Sequence, residues 1–90
     1  MDKYLYELGL VEEKVGYQFL VDALNLLDND KVLSLRICKV YDKIGEKYGK
    51  SRQYVERSLQ NLFRTSFLKN RKTKDQLLYI LKNLQKQNLI

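Results

Sequence analysis

Between residues 51 and 64 the stretch SRQYVERSLQNLFR carries side chains that can read the edges of base pairs. Arg57 can donate two hydrogen bonds to guanine, and Glu56 can accept one from the amino group of cytosine. Gln60, one helical turn beyond Glu56, can pair with adenine. Gln53 and Tyr54 stand beside them, where they would tune a site. Lys43, Lys47, Lys50, Arg52 and Arg64 supply cations that can hold phosphates. Ser51, with the backbone amides that follow it, can bind one phosphate directly. Bond-making chemistry is less well provided for. The chain has no histidine, the usual general base and the commonest metal ligand. No catalytic residue, metal site or cofactor is therefore expected, and the chain reads as a binding protein, not an enzyme.

Taken singly, these residues have plainer roles. Glu56 suits a solvated helix face, or an intrahelical partnership with Gln60 or Arg52. Arg57 suits a surface cation. A helix pair with a polar outer face also suits protein binding. The charge distribution favours a polyanionic partner. The net charge is +6 and the isoelectric point about 9.5. Residues 1–38 hold four basic and seven acidic side chains, a net of −3. Residues 39–74 hold eleven basic and three acidic ones, a net of +8. The positive charge thus surrounds the candidate readers.

A side chain can read a groove only if a helix holds it there. Residues 41–48 read as the first helix of a pair, with Ile44 and Tyr48 on its inner face. Gly45 is small where a second helix would cross. Gly49 falls where a helix end favours positive φ. Ser51 can cap the next helix, expected near 51–64. Val55, Leu59 and Leu62 give that helix its inner face, which leaves Arg52, Gln53, Glu56, Arg57, Gln60 and Arg64 outward. This is the layout of a helix-turn-helix, whose second helix enters the major groove.

The rest of the chain reads as support. Tyr4, Leu5 and Leu8 suggest a short helix ended by Gly9. Tyr17, Leu20, Val21, Leu24 and Leu27 recur at helical spacing up to a turn at Asp28, Asn29 and Asp30, a cluster that can also cap the next helix. Val32, Leu33, Leu35 and Ile37 are less regular and suit a short helix and a bend. Residues 69–74 are basic and expected to be exposed. A last helix is expected near 75–87, capped by Thr73 or Asp75. Its stripe of Leu77, Leu78, Ile80, Leu81 and Leu84 suits core packing or, as the alternative, a dimer seam. Tyr17, Tyr41 and Tyr48 fall at core spacing, and Tyr54 faces outward. Cys38, the single cysteine, reads as a buried small hydrophobe in a reducing compartment. Proline is absent. The expectation is one all-α domain over residues 1–90, with about five to six helices around the helix-turn-helix. No apolar run approaches the ~18 residues of a membrane span, and the amino end is too polar for a signal peptide. These features suit a cytoplasmic, nucleoid-associated protein.

At this point the chain resembles a known family, the C-terminal DNA-binding effector domain of the stage-zero sporulation protein A. The likeness lies in Glu7–Gly9, Gly16, Tyr17, Phe19, Leu20 and Ala23. It continues through Lys39, Val40, Tyr41, Ile44, Lys47 and Tyr48 to the triplet Val55, Glu56, Arg57 and then Leu59. Lys72, Leu77, Leu78, Ile80 and Leu81 fit more loosely. The resemblance implies an all-helical domain that binds short duplex boxes in promoters, often tandem, and activates or represses transcription. It implies that Glu56 and Arg57 read bases. Two further family arginines fall on Tyr54 and Gln60, and a family proline falls on Asp42. A receiver domain precedes the family's domain, so this chain is expected to be either a stand-alone protein or a fragment.

The partner expected is double-stranded DNA, with a homodimer on tandem or inverted sites left open. Contact with RNA polymerase is left open, and no membrane partner is expected. The alternative is a plasmid- or phage-type factor on the same scaffold. It would act by protein interaction through the Leu77–Leu84 stripe, or as an architectural or segregation factor.

Overall fold

A computed structural model gives the arrangement of residues 2–10, 15–64 and 72–88. Five α-helices account for most of them: α1 Asp2–Glu7, α2 Val15–Asn29, α3 Ile37–Tyr48, α4 Arg52–Phe63 and α5 Thr73–Lys86. A short 3₁₀ turn, Lys31–Leu35, joins α2 to α3. No strand occurs among the described residues. The chain is all-α, as its spacing implies.

Helix α2 is the hub, packing against α3, α4 and α5. Its apolar positions recur every three or four residues, so Phe19, Leu20, Ala23, Leu24 and Leu27 share one buried face. They meet Val40, Tyr41 and Ile44 of α3 and Val55, Leu59, Leu62 and Phe63 of α4 in one core. Leu5 and Leu10 enter the same core from the amino end. Gly16 marks a close approach of α2 to α4. A Cβ there would run into the Ser58 carbonyl oxygen of α4. Gly45, expected to clear a crossing helix, instead clears the turn. A Cβ on it would meet the carbonyl oxygen of Lys50.

Several expectations are corrected. Helix α3 begins at Ile37, four residues before the anticipated 41–48. The irregular apolar run is explained by the 3₁₀ turn, where Asp30 accepts a hydrogen bond from the Val32 amide at 3.1 Å. Starting α3 at Ile37 sets Cys38 about a quarter turn from the mean direction of Val40, Tyr41, Ile44 and Gly45. Cys38 is therefore exposed, not buried. Tyr48 lies at the rim of the core, 37% exposed. Helix α5 starts at Thr73, two residues before the anticipated 75. Its N-cap is Lys72, which makes no side-chain cap bond. Thr73 and Asp75 lie inside the first turn, where the Asp75 carboxylate complements the helix dipole without capping.

The α5 stripe is core. Leu77, Ile80 and Leu84 are wholly buried, Leu81 nearly so, and Leu78 half-buried. Gln85 ties the end of α5 to α2 by donating to Asp28 at 2.9 Å. Residues 69–71 of the basic segment 69–74 fall outside the described residues; Lys72 and Lys74 are exposed. No helix among the described residues is long and apolar enough to cross a membrane.

Candidate nucleic-acid interface

The connection between α3 and α4 takes three residues, and local chemistry explains each. Gly49 adopts φ 67° and ψ 37°, a left-handed conformation that glycine takes at little steric cost. There the Lys50 amide donates to the Gly45 carbonyl at 2.8 Å. Ser51 is extended, with φ −75° and ψ 161°. Its hydroxyl oxygen accepts from the Tyr54 amide at 3.1 Å, which caps α4.

An aromatic contact fixes the start of α4 against α2. The Phe19 ring lies 5.2 Å from the Tyr48 ring and 6.1 Å from the Tyr54 ring, centroid to centroid. Both geometries are tilted or edge-on, as ring quadrupoles favour. Phe19 thus touches the last residue of α3 and the first turn of α4 together. In the sequence Phe19 stands out only through the family likeness. Its signal is an aromatic on the apolar face of α2. Tyr54 does face outward, 41% exposed, and the Lys50 ammonium sits 4.9 Å from its ring centre.

Val55, Leu59 and Leu62 are fully buried, so the opposite face of α4 is turned outward. Gln53, Arg57 and Gln60 are exposed on it, and Glu56 is half-buried. Gln60 donates to Glu56 at 3.5 Å, so those two side chains adjoin. Arg64, also exposed, stands at the far end of the helix. That is about 18 Å along the axis from Arg52 at 1.5 Å per residue.

The candidate phosphate-binding cations divide into two groups. Lys43 and Lys50 are exposed and paired with no carboxylate among the described residues. Lys47 and Arg52 are engaged. Lys47 donates to Asp22 of α2 at 3.1 Å, and the Tyr48 hydroxyl donates to the same carboxylate at 2.6 Å. Arg52 grips Asp42 of α3 with two bonds, Nε to Oδ1 at 2.8 Å and Nη2 to Oδ2 at 2.9 Å. The arginine's partner is thus Asp42, not Glu56. These bonds shift the titrations as expected for close opposite charges. The Arg52 hydrogen bond holds the Asp42 carboxyl below its usual range. The bond to Asp22 raises the Lys47 ammonium. Beneath α4, burial pushes the Tyr41 hydroxyl up to about 12, with Glu56 adding to it.

The arrangement is a two-helix corner with a polar, exposed outer face on α4 and the cations Lys50 and Arg52 at its start. A family model, Sporulation initiation factor Spo0A C terminal, matches residues 1–88. The chain belongs to this family. No curated protein and no solved structure matches it. The Spo0A C-terminal family is a DNA-binding domain of a sporulation transcription regulator. Helices α3 and α4 form the two-helix corner, and α2 packs against both. No group of three or more metal-ligating side chains occurs among the described residues.

Proposed function

We propose that the chain is a sequence-specific double-stranded DNA-binding protein that regulates transcription, with α4 seated in the major groove. The observation that carries this reading is the outer face of α4. Arg57, Gln53 and Gln60 stand exposed on a helix whose inner face is wholly buried and whose start is capped and pinned. Such a helix can present side chains at a fixed depth and angle, which base readout requires. In this reading Arg57 and Glu56 contact bases, while Gln53, Tyr54 and Gln60 tune the site. Lys43, Lys47, Lys50, Ser51, Arg52 and Arg64 hold phosphates. Family membership supports the DNA-binding part of the proposal. The competing interaction module relied on the α5 stripe, and that stripe is inside the chain's own core.

The test is an enrichment of random duplexes on the purified protein at physiological salt. A recovered consensus is the expected result. Duplex retained without a consensus would replace sequence-specific regulation with an architectural role. No retention would overturn the reading.

A further inference from the structure

Asp42 of α3 pairs with Arg52 at the start of α4. Its two oxygens meet the Arg52 guanidinium in parallel, at 2.8 and 2.9 Å. That fork-on-fork geometry is the one a guanidinium also uses on phosphate. The pair is open to exchange, with the two side chains 47% and 41% exposed. Asp42, Gly49, Lys50, Ser51 and Arg52 line one open depression at the start of α4. The other engaged cation differs. Asp22 is only 13% exposed and holds the Tyr48 hydroxyl as well as Lys47, so it fastens α3 to α2. Asp42 and Arg52 share an accessible surface, and breaking their pair uncovers no core.

We propose that Asp42 is an internal phosphate mimic that sets the selectivity of the domain for its duplex site. This rests on the duplex-binding reading above. On random sequence α4 is not seated, a phosphate reaches Arg52 through one oxygen alone and does not displace the bidentate carboxylate, and the guanidinium stays with Asp42. The pair then adds no net charge to binding. On a matching site the base contacts fix α4, and a backbone phosphate takes Arg52 from Asp42. Asp42 thus withholds one phosphate contact from random DNA and yields it to the correct site.

The test measures affinity against salt for wild type, Asp42→Asn, Arg52→Gln and the double variant, on a selected duplex and on random duplex. Each phosphate contact steepens the logarithmic salt slope by ~0.9, about a fivefold gain between 1 M and 0.15 M salt. Asp42→Asn should show that steepening and roughly that gain on random duplex. The gain on the selected duplex should be smaller, so selectivity falls. The gain should vanish in the Arg52→Gln background. Circular dichroism checks that every variant keeps its helix content. Weaker binding by Asp42→Asn would mean that Asp42 positions Arg52, and would overturn the proposal. An unchanged slope on random duplex would do the same, as would a gain that survives Arg52→Gln. Wild type that binds random and selected duplex alike has no selectivity to set, which also refutes it. Wild type that binds no duplex would remove the underlying reading itself, a result distinct from all of these.

Discussion

Helices α4 and α5 are similar in length, 12 and 14 residues, and each buries an apolar stripe in the same core. Their first turns are built differently. Helix α4 begins with a left-handed glycine, a serine cap, an aromatic contact to α2 and a bidentate ion pair to α3. Helix α5 has Lys72 as its N-cap, with no side-chain cap bond, and only Asp75 to complement its dipole. A stripe settles which face of a helix turns inward, but leaves its axis some freedom to slide and rotate. The glycine turn, the serine cap and the aromatic contact at α4 remove that freedom. This suits a helix whose outer face has to meet a partner in register.

The core should not distinguish the two helices. Leu59→Ala in α4 and Ile80→Ala in α5 each delete a fully buried side chain. Each is expected to destabilise the fold by about 2–5 kcal/mol in urea denaturation. A small loss for one of them alone would mean that its stripe is less tightly packed than its burial implies. Function should distinguish them. Arg57→Ala on the outer face of α4 is expected to weaken binding to a selected duplex by about 1–3 kcal/mol. Binding to random duplex should fall far less. Equal loss on both would remove the base-reading role from Arg57.

The caps sharpen the comparison further. Ser51→Ala removes the acceptor for the Tyr54 amide and should cost about 1 kcal/mol of stability. Thr73→Ala at the start of α5 removes no cap bond, since the N-cap there is Lys72. Its effect should stay within about 0.5 kcal/mol, as for ordinary surface changes. Thermal melts of the two variants side by side decide this. A Thr73→Ala loss as large as that of Ser51→Ala would erase the contrast between the two helix starts.

Sequence reasoning reaches the parts of this structure that depend on neighbours along the chain. Gly49 and Ser51 are legible because turn and cap chemistry is local. The inner face of α4 is legible because Val55, Leu59 and Leu62 repeat at helical spacing. The start of α3 is not, because a 3₁₀ turn breaks that period and Ile37 then looks like part of the irregular run. The misplacement of Cys38 comes from the same break. The acidic partners are also out of reach. Asp22 is 25 residues from Lys47, and Asp42 is 10 from Arg52. No pattern in the sequence distinguishes a cation held by such a carboxylate from one left open to a phosphate. Tyr48 departs from its expected place for a related reason. Its position fits the inner face, but its hydroxyl is drawn to Asp22 at the rim.

The smallest expected effect separates location from charge. Lys50 and Lys82 are both exposed lysines, one beside the start of α4 and the other on α5. Replacing either with alanine removes the same unit of positive charge. If binding depended on the net charge of the domain, the two variants would behave alike. If it depends on a backbone running past the start of α4, only Lys50→Ala removes a contact. That variant should flatten the logarithmic salt slope by ~0.9, and by the same amount on selected and random duplex. Lys82→Ala should leave the slope nearly unchanged. Lys50 also sits over the Tyr54 ring, a weak hold that keeps its ammonium near the outer face without neutralising it. Equal slopes for the two variants would show that DNA is attracted by the whole domain, and the added contacts at the start of α4 would then need a reason other than DNA.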